Sequence, residues 1–504
     1  MHLVDDTTFA SAEQLAAWCD RVGREGYRGT GSAAHERVIS WIEEELATLP
    51  GVVVRRDEID ILGWHPVPEG DLVAAGGLRV VDADRDGEEL AVAGAVPYSA
   101  PTVARGPVVH VPAGSPIDAA VEGRIVLRDF PDLRLPYELL LGLGTHLTPD
   151  ADALRGSDWD RPGLADSLLH ADLLAAGAAG AAGVVFAFDL PREQLAGYVE
   201  PHKGTHHRVP AVFVGVDERE RLRALAATPT PVEISVRATV GPVTTRNVIA
   251  TLPGRTAERV VLVTHTDGAT WVQENGVAAL LGIARFLADR PLAERTRTIE
   301  LAFTTAHLHI SREGAAHHAA QLDAEYDRGD VAYAFALEHL GAVAVEPVPR
   351  DDGGPGRRLA VTADAEPMLW AVGPSDALQR AVVDAVRRRD LERVVVAPGF
   401  GGAVEGQVPR IVSFGGLGTY YHSHLVPTTS IITGPWSLWA PSFGAAAIDI
   451  DRYRAQTLAA LDVVLALDDV PRDQIAGGYL ADRAARAAGA PWGRDDVPPE
   501  VAPG

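Results

Sequence analysis

The stretch Val260-Val261-Leu262-Val263-Thr264-His265-Thr266-Asp267-Gly268 decides the fold. It is a short apolar run that does not alternate with polar residues, and it stops abruptly at a polar turn closed by glycine. A strand with one wet face would alternate, so this one is expected to be buried on both faces. The same signature recurs at Ile299-Glu300-Leu301-Ala302-Phe303, at Tyr333-Ala334-Phe335-Ala336-Leu337 and at Thr429-Ser430-Ile431-Ile432. Helical spacing fills the gaps, as in Gly276 to Ala288, and a last helix is expected over Asp451 to Leu467. The class is therefore α/β, a mostly parallel mixed sheet with helices on both faces.

Working outward, residues from about 9 to 48 read as helical around the glycine-rich turn Tyr27-Arg28-Gly29-Thr30-Gly31-Ser32. From about 70 to 240 the character changes. Short β-rich runs alternate with Gly and Pro, as in Gly106-Pro107-Val108-Val109-His110-Val111 and Val209-Pro210-Ala211-Val212-Phe213-Val214. This predicts a β-rich module, 69–240, inserted into a principal domain made of 1–68 and 241–490. The Pro-, Gly- and Asp-rich end, 491–504, is expected to be a disordered tail.

Bulk properties bound the function. The chain has 504 residues, 47% of them hydrophobic, with 45 Lys and Arg against 69 Asp and Glu, a formal net charge of −24. Such a surface repels nucleic acid and anionic lipid, so neither is expected as a partner. A single cysteine, Cys19, allows no intramolecular disulfide. No basic segment followed by an apolar run opens the chain, and no apolar stretch reaches the roughly 18 residues of a membrane helix, so a cytoplasmic protein is expected.

Ligands of open α/β sheets bind beyond the carboxyl ends of the strands. There this sequence places His265-Thr266-Asp267, then His307-Leu308-His309, then Glu338-His339, and near the last strand His422-Ser423-His424. Imidazole and carboxylate at neighbouring strand ends suit a divalent metal. A nearby acid can fix the tautomer of the histidine that binds it.

Several of these pieces resemble the zinc-dependent aminopeptidase family that also contains glutamate carboxypeptidases and glutaminyl cyclases. They are Arg246-Asn247-Val248-Ile249-Ala250-Thr251-Leu252-Pro253-Gly254, the His265-Thr266-Asp267 turn, Gly276-Val277-Ala278-Ala279 and the opening Arg28-Gly29-Thr30-Gly31-Ser32. The insert resembles the family's protease-associated domain through Gly123-Arg124-Ile125-Val126-Leu127 and Ala176 to Val185. The resemblance implies zinc, with His265 as first ligand and Asp267 as its supporting acid. The family's bridging Asp falls on Trp271 to Asn275, where Glu274 is the only acid, and its next Asp ligand falls on Glu338. The adjacent glutamates that supply the general base fall on Ala306 to His309, which has no carboxylate. The final His falls on Gly434 to Pro441, which has none.

The expected site is thus altered. Its ligands are sought among His265, His307, His309, Glu338 and His424, with one zinc favoured over two. Three protein ligands and an open position suffice for a catalytic zinc. Glu274 and Asp267 are the expected catalytic carboxylates, with Glu338 and Glu405 as further acids. The expected activity is hydrolysis of an amide or peptide-like bond in a small molecule or short peptide-like substrate. The alternatives are cyclisation or acyl transfer on the same scaffold, or an inactive pseudopeptidase. A monomer and a dimer are both open.

Overall fold

The computed structural model describes residues 6–81, 87–131, 133–160, 165–200, 205–228, 230–402 and 405–494. A nine-stranded mixed sheet organises the chain. In chain order its strands are β1 (Val53–Pro66), β2 (His146–Leu147), β3 (Ala238–Leu252), β4 (Arg259–His265), β5 (Thr298–Thr304), β6 (Val331–Leu337), β7 (Met368–Val372), β8 (Val394–Ala397) and β9 (Thr428–Thr433). Their spatial order is β1-β3-β5-β4-β6-β9-β7-β8-β2. The four strands expected from unalternating apolar runs, β5, β4, β6 and β9, are contiguous and mutually parallel. Antiparallel neighbours flank them on both sides.

The apolar runs are explained by two cores. Val260, Leu262, Leu301, Phe303, Phe335 and Leu337 face one of them. That core is closed by the helices α1 (Ala12–Gly23), α2 (Ala33–Ala47), α3 (Gly276–Ala288), α5 (Asp376–Arg388) and α6 (Ile450–Leu467). The alternate residues Val261, Val263, Ala302, Ala334 and Ala336 face the other, beneath α4 (Glu313–Arg328). Neither face of these strands is wet, so neither face selects polar residues.

Local chemistry sets the helix starts. The Ser11 and Ser32 hydroxyls cap α1 and α2 by accepting from the Gln14 and His35 amides, and Asp449 caps α6. The start of α3 presses against the strand ends. A Cβ on Gly276 would lie 2.2 Å from the Leu337 carbonyl oxygen and 2.2 Å from Thr264 Oγ1, so only glycine fits there.

A second, eight-stranded sheet runs Glu89–Leu90, Gly76–Val80, Pro231–Val236, Val103–Val111, Ile125–Asp129, Gly183–Ala187, Ala211–Val214 and Val92–Ala95 in spatial order. All its strands come from the stretch expected as an insert. The same stretch also donates β2, which pairs with β8 at the far edge of the large sheet. Two helices of the same stretch, Ala165–Ala178 and Val216–Ala226, lie beside this sheet. Of the expected tail, residues 495–504 lie outside the described residues. No helix among the described residues is long and apolar enough to cross a membrane.

Candidate metal centre

The parallel strands β5, β4 and β6 end side by side, and their last residues open into three turns. His265 closes β4, His307 follows β5 and Glu338 follows β6. A donor atom from each of these three side chains lies within 4.8 Å of the other two, the one such metal-competent group among the described residues. His307 Nε2 is 3.4 Å from Glu338 Oε1, and His265 Nε2 is 3.7 Å from the same oxygen. The two imidazole rings stand 4.5 Å apart, tilted by 49°.

The turns hold unusual backbone. Ala306, just before His307, has φ of 53°, and His339, just after Glu338, has φ of 58°. Non-glycine residues rarely adopt this left-handed region, and it concentrates where surrounding structure must aim a side chain.

Two members are also held from behind. The other ring nitrogen of His265, Nδ1, lies 2.9 Å from the Asp267 carbonyl oxygen and 3.5 Å from Asp267 Oδ1. Asp267 Oδ2 accepts from the Thr30 hydroxyl at 2.6 Å and from the Leu308 amide at 2.9 Å. Glu338 Oε2 accepts from the Leu417 amide at 2.6 Å. A Cβ on Gly416 would meet that carboxylate at 2.5 Å, so glycine is required beside it.

The front of the cluster is unsatisfied. His265 Nε2 and Glu338 Oε1, which face each other across the cluster, are buried without a hydrogen-bond partner, as are His307 Nδ1 and Asp267 Oδ1 beside them. Buried polar atoms are ordinarily paired, so this concentration is informative. Burial alone would raise the Glu338 carboxyl, but His307 first, then His339 and His265, hold it down at about 2. Burial would lower His265, but Asp267 and Glu338 outweigh it and hold its pKa above the ordinary value. The set is a carboxylate between two imidazoles, all starved of partners. That chemistry fits a divalent cation of the zinc type.

The other residues singled out in the sequence take different places. Glu274 is fully buried in an ion pair with Arg28, whose Nε is 3.2 Å from Oε1 and whose Nη2 is 2.5 Å from Oε2. Expected as a catalytic carboxylate, it has each oxygen bonded to the Arg28 guanidinium. His309 turns away from the cluster. Its Nε2 lies 3.1 Å from the Leu62 carbonyl and its Nδ1 lies 2.7 Å from Ser311 Oγ. His424 lies elsewhere, 3.3 Å from Asp323 and edge-on to Trp492. His309 and His424, expected as ligands, therefore lie outside the group of three donors. Glu405 is exposed, and His206 packs on the Leu62 carbonyl at 3.3 Å.

Two contributors were not singled out for the site. Arg28 and Thr30 come from the opening segment, which pairs with the Gly268 turn through Arg28 N–H to Gly268 O at 2.7 Å. One short segment thus holds Glu274 by a guanidinium and Asp267 by a hydroxyl. Nothing local marks them for this, because their partners lie more than two hundred residues away. His339, read from the sequence at the same rim, also stands beside the cluster. Its Nδ1 lies 2.8 Å from the Thr433 carbonyl oxygen, and its ring stands edge-on to His265 at 6.4 Å.

No family profile matches the sequence, and no curated protein does. Solved structures do match. A zinc aminopeptidase from Bacillus subtilis aligns at 16% identity and TM-score 0.59, covering 90% of this chain and 94% of its own. A peptidase precursor from Shewanella amazonensis aligns at 16% identity and TM-score 0.59, covering 94% and 98%. An aminopeptidase from Aneurinibacillus aligns at 16% identity and TM-score 0.55, covering 91% and 95%. At that identity the likeness concerns architecture, and nearly the whole chain takes part in it: the protein has the fold of the zinc aminopeptidases.

Proposed function

We propose that the chain is a metal-dependent hydrolase of an amide or peptide-like bond in a small molecule or short peptide-like substrate, with a single zinc held by His265, His307 and Glu338. The observation that carries this reading is the group of three buried donors within 4.8 Å of one another, with partnerless atoms facing inward. Three protein ligands leave a position open, as a catalytic site needs. Zinc in such a place supplies Lewis acidity toward a carbonyl oxygen.

The chain's own residues do the rest. Thr30 and the Leu308 amide hold Asp267, and Asp267 orients His265. Leu417 holds Glu338. His339 is the proton acceptor. Its Nδ1–H donates to the Thr433 carbonyl, which fixes the tautomer and leaves Nε2 with a lone pair. Glu274 is less suited to that part, because the Arg28 guanidinium bonds both its oxygens and lowers their basicity. The eight-stranded sheet, in this reading, is a protease-associated-like unit.

A second reading has an observation of its own. Glu274 and Glu338 are both engaged, and an imidazole base serves an amine nucleophile as readily as water. Intramolecular aminolysis, a cyclase reaction, follows from the same geometry. The test uses protein purified without a histidine tag. About one zinc per chain is expected, lost in His265→Ala, since a catalytic site takes three protein ligands. Aminoacyl amides are then offered, including one whose free α-amine can reach its own side-chain carboxamide, and the products weighed: uptake of water supports hydrolysis, and attack of that amine on the carboxamide carbon with loss of ammonia supports the cyclase. Absence of bound metal in the wild type, with no effect of His265→Ala, would overturn both.

A further inference from the structure

Behind the site lies a buried polar chain that the proposed reaction does not use. Glu300 sits in the middle of β5, and its Oε1 is 3.2 Å from His318 Nε2 on α4. His318 Nδ1 is 2.9 Å from the Tyr421 hydroxyl. All three side chains are at most 2% exposed. They lie among the apolar residues that pack α4 on the sheet, including Ala315, Ala319 and Leu322. The arrangement that satisfies all three has His318 Nε2–H donating to Glu300 and Nδ1 accepting from Tyr421. Burial opposes ionisation of Glu300, but His318 together with the nearby Arg259 and Arg55 guanidinium groups outweighs it, so the carboxyl stays below its ordinary pKa. An apolar trio would fill this space without desolvating a carboxylate. Buried polar networks more readily specify one arrangement than add stability.

What the network arranges is on both sides of it. Glu300 belongs to the strand that delivers His307. Tyr421 belongs to the short helix Gly418–Ser423. Immediately before that helix, the Leu417 amide donates to Glu338 Oε2 at 2.6 Å. Within it, the Tyr420 ring stands edge-on to His307 at 5.8 Å. The relay therefore ties the mount of one candidate ligand to the mount of another. The helix has further anchors, His422 to the Tyr479 hydroxyl and His424, just after it, to Asp323, but neither contacts a candidate ligand.

We propose that His318 is a positioning residue of the metal centre: through Tyr421 it fixes the Gly418–Ser423 helix, and with it the Leu417 amide that holds Glu338 and the ring that backs His307. The part of this concerning metal rests on the reading above; the part concerning geometry does not.

The test removes one oxygen. Tyr421→Phe keeps the ring and deletes the bond to His318, and Tyr479→Phe does the same to the His422 anchor as a control. Two quantities are read in full-length protein: hydrogen exchange at the Leu417 amide, and zinc affinity by competition with a chelator. In Tyr421→Phe, Leu417 should exchange at least about tenfold faster and zinc should bind roughly tenfold more weakly, the usual loss when a ligand's support is removed. Tyr479→Phe should change neither. Leu417 exchange in Tyr421→Phe within about twofold of wild type, or equal acceleration in Tyr479→Phe, would overturn the proposal. If the wild type binds no zinc, the metal reading fails, and Leu417 exchange still decides the positioning role.

Discussion

Glu274 and Glu338 are two fully buried carboxylates on the same rim of one sheet, and the structure treats them oppositely. Glu274 is saturated: a guanidinium meets both oxygens, and Arg28 Nη2 also donates to the Thr270 carbonyl at 2.8 Å. Glu338 is starved: one oxygen has an amide, and the other faces two imidazoles with no hydrogen bond. A buried charge is costly unless paired. The saturated carboxylate has its partner within the fold, so it serves the fold. The starved one keeps an oxygen that no donor of the fold satisfies, which is the property a metal ligand needs. Satisfaction, more than residue type, separates a structural acid from a ligand.

The largest effects should break this contrast from the ligand side. His265→Ala or Glu338→Ala should abolish zinc binding, seen as loss of the metal from dialysed protein, and hydrolysis should fall by at least about a thousandfold, as expected when a Lewis acid is removed. Saturating zinc should also raise the melting temperature of the wild type, because a ligand at 100 times its Kd stabilises by about 2.7 kcal/mol. Neither variant should respond. A variant that keeps its zinc would remove that residue from the ligand set.

Breaking the contrast from the other side should move stability and leave the metal alone. Glu274→Gln strands a buried guanidinium, and such losses are about 3–5 kcal/mol. Urea unfolding should register it while zinc stoichiometry stays at the wild-type value. The apolar pair Arg28→Met with Glu274→Leu should recover much of the loss. Weaker zinc binding in Glu274→Gln would show that this acid also reaches the ion.

Glu366 sharpens the comparison, because it is a buried carboxyl with no cation bonded to it. It is 6% exposed, and burial pushes its pKa up from 4.5 to about 8 despite Arg393 nearby. The folded chain therefore holds this proton where the unfolded chain has released it. The contribution is fully present below about pH 4.5 and is lost as pH rises toward about 8, a change on the order of a few kcal/mol. Glu366→Gln should flatten that segment of the stability profile, measured by urea unfolding between these limits. An unchanged slope would mean that the carboxyl is ionised in the folded protein.

The contrast also says what a sequence can disclose. The β5-β4-β6-β9 strands were legible because two apolar faces leave an unbroken apolar run. The candidate site was legible as a place, since His265, His307 and Glu338 all follow such runs. The choice between His307 and His309 was not. It depends on the left-handed Ala306, which aims the turn, and on a Leu62 carbonyl that captures the second imidazole. His424 read as a ligand because its partner Asp323 is a hundred residues distant and sits on another helix. Glu274 read as a base because Arg28 lies near the other end of the chain. Edge pairing was equally hidden: β2 is two residues long and carries no strand signal of its own. Periodicity reports burial, which is local in sequence. Satisfaction of a polar atom depends on whichever distant group arrives.

The smallest expected effect concerns Thr30, whose hydroxyl meets Asp267 Oδ2 at 2.6 Å. Thr30→Val keeps the shape and deletes the donor. Asp267 retains the Leu308 amide, so the acid stays in place but is held by one bond fewer. The stability cost should be about 1 kcal/mol, the ordinary net worth of one hydrogen bond. Zinc affinity should fall by about tenfold, because a loosened supporting acid lets the imidazole it orients turn. Thr30 lies on the same five-residue stretch as Arg28, yet the two substitutions should diverge. A change at Arg28 should appear in unfolding and not in metal affinity, and a change at Thr30 should appear mainly in metal affinity. If Thr30→Val lowers stability and leaves zinc binding untouched, the opening segment is a clip for the fold alone, and the orientation of His265 rests on its own turn.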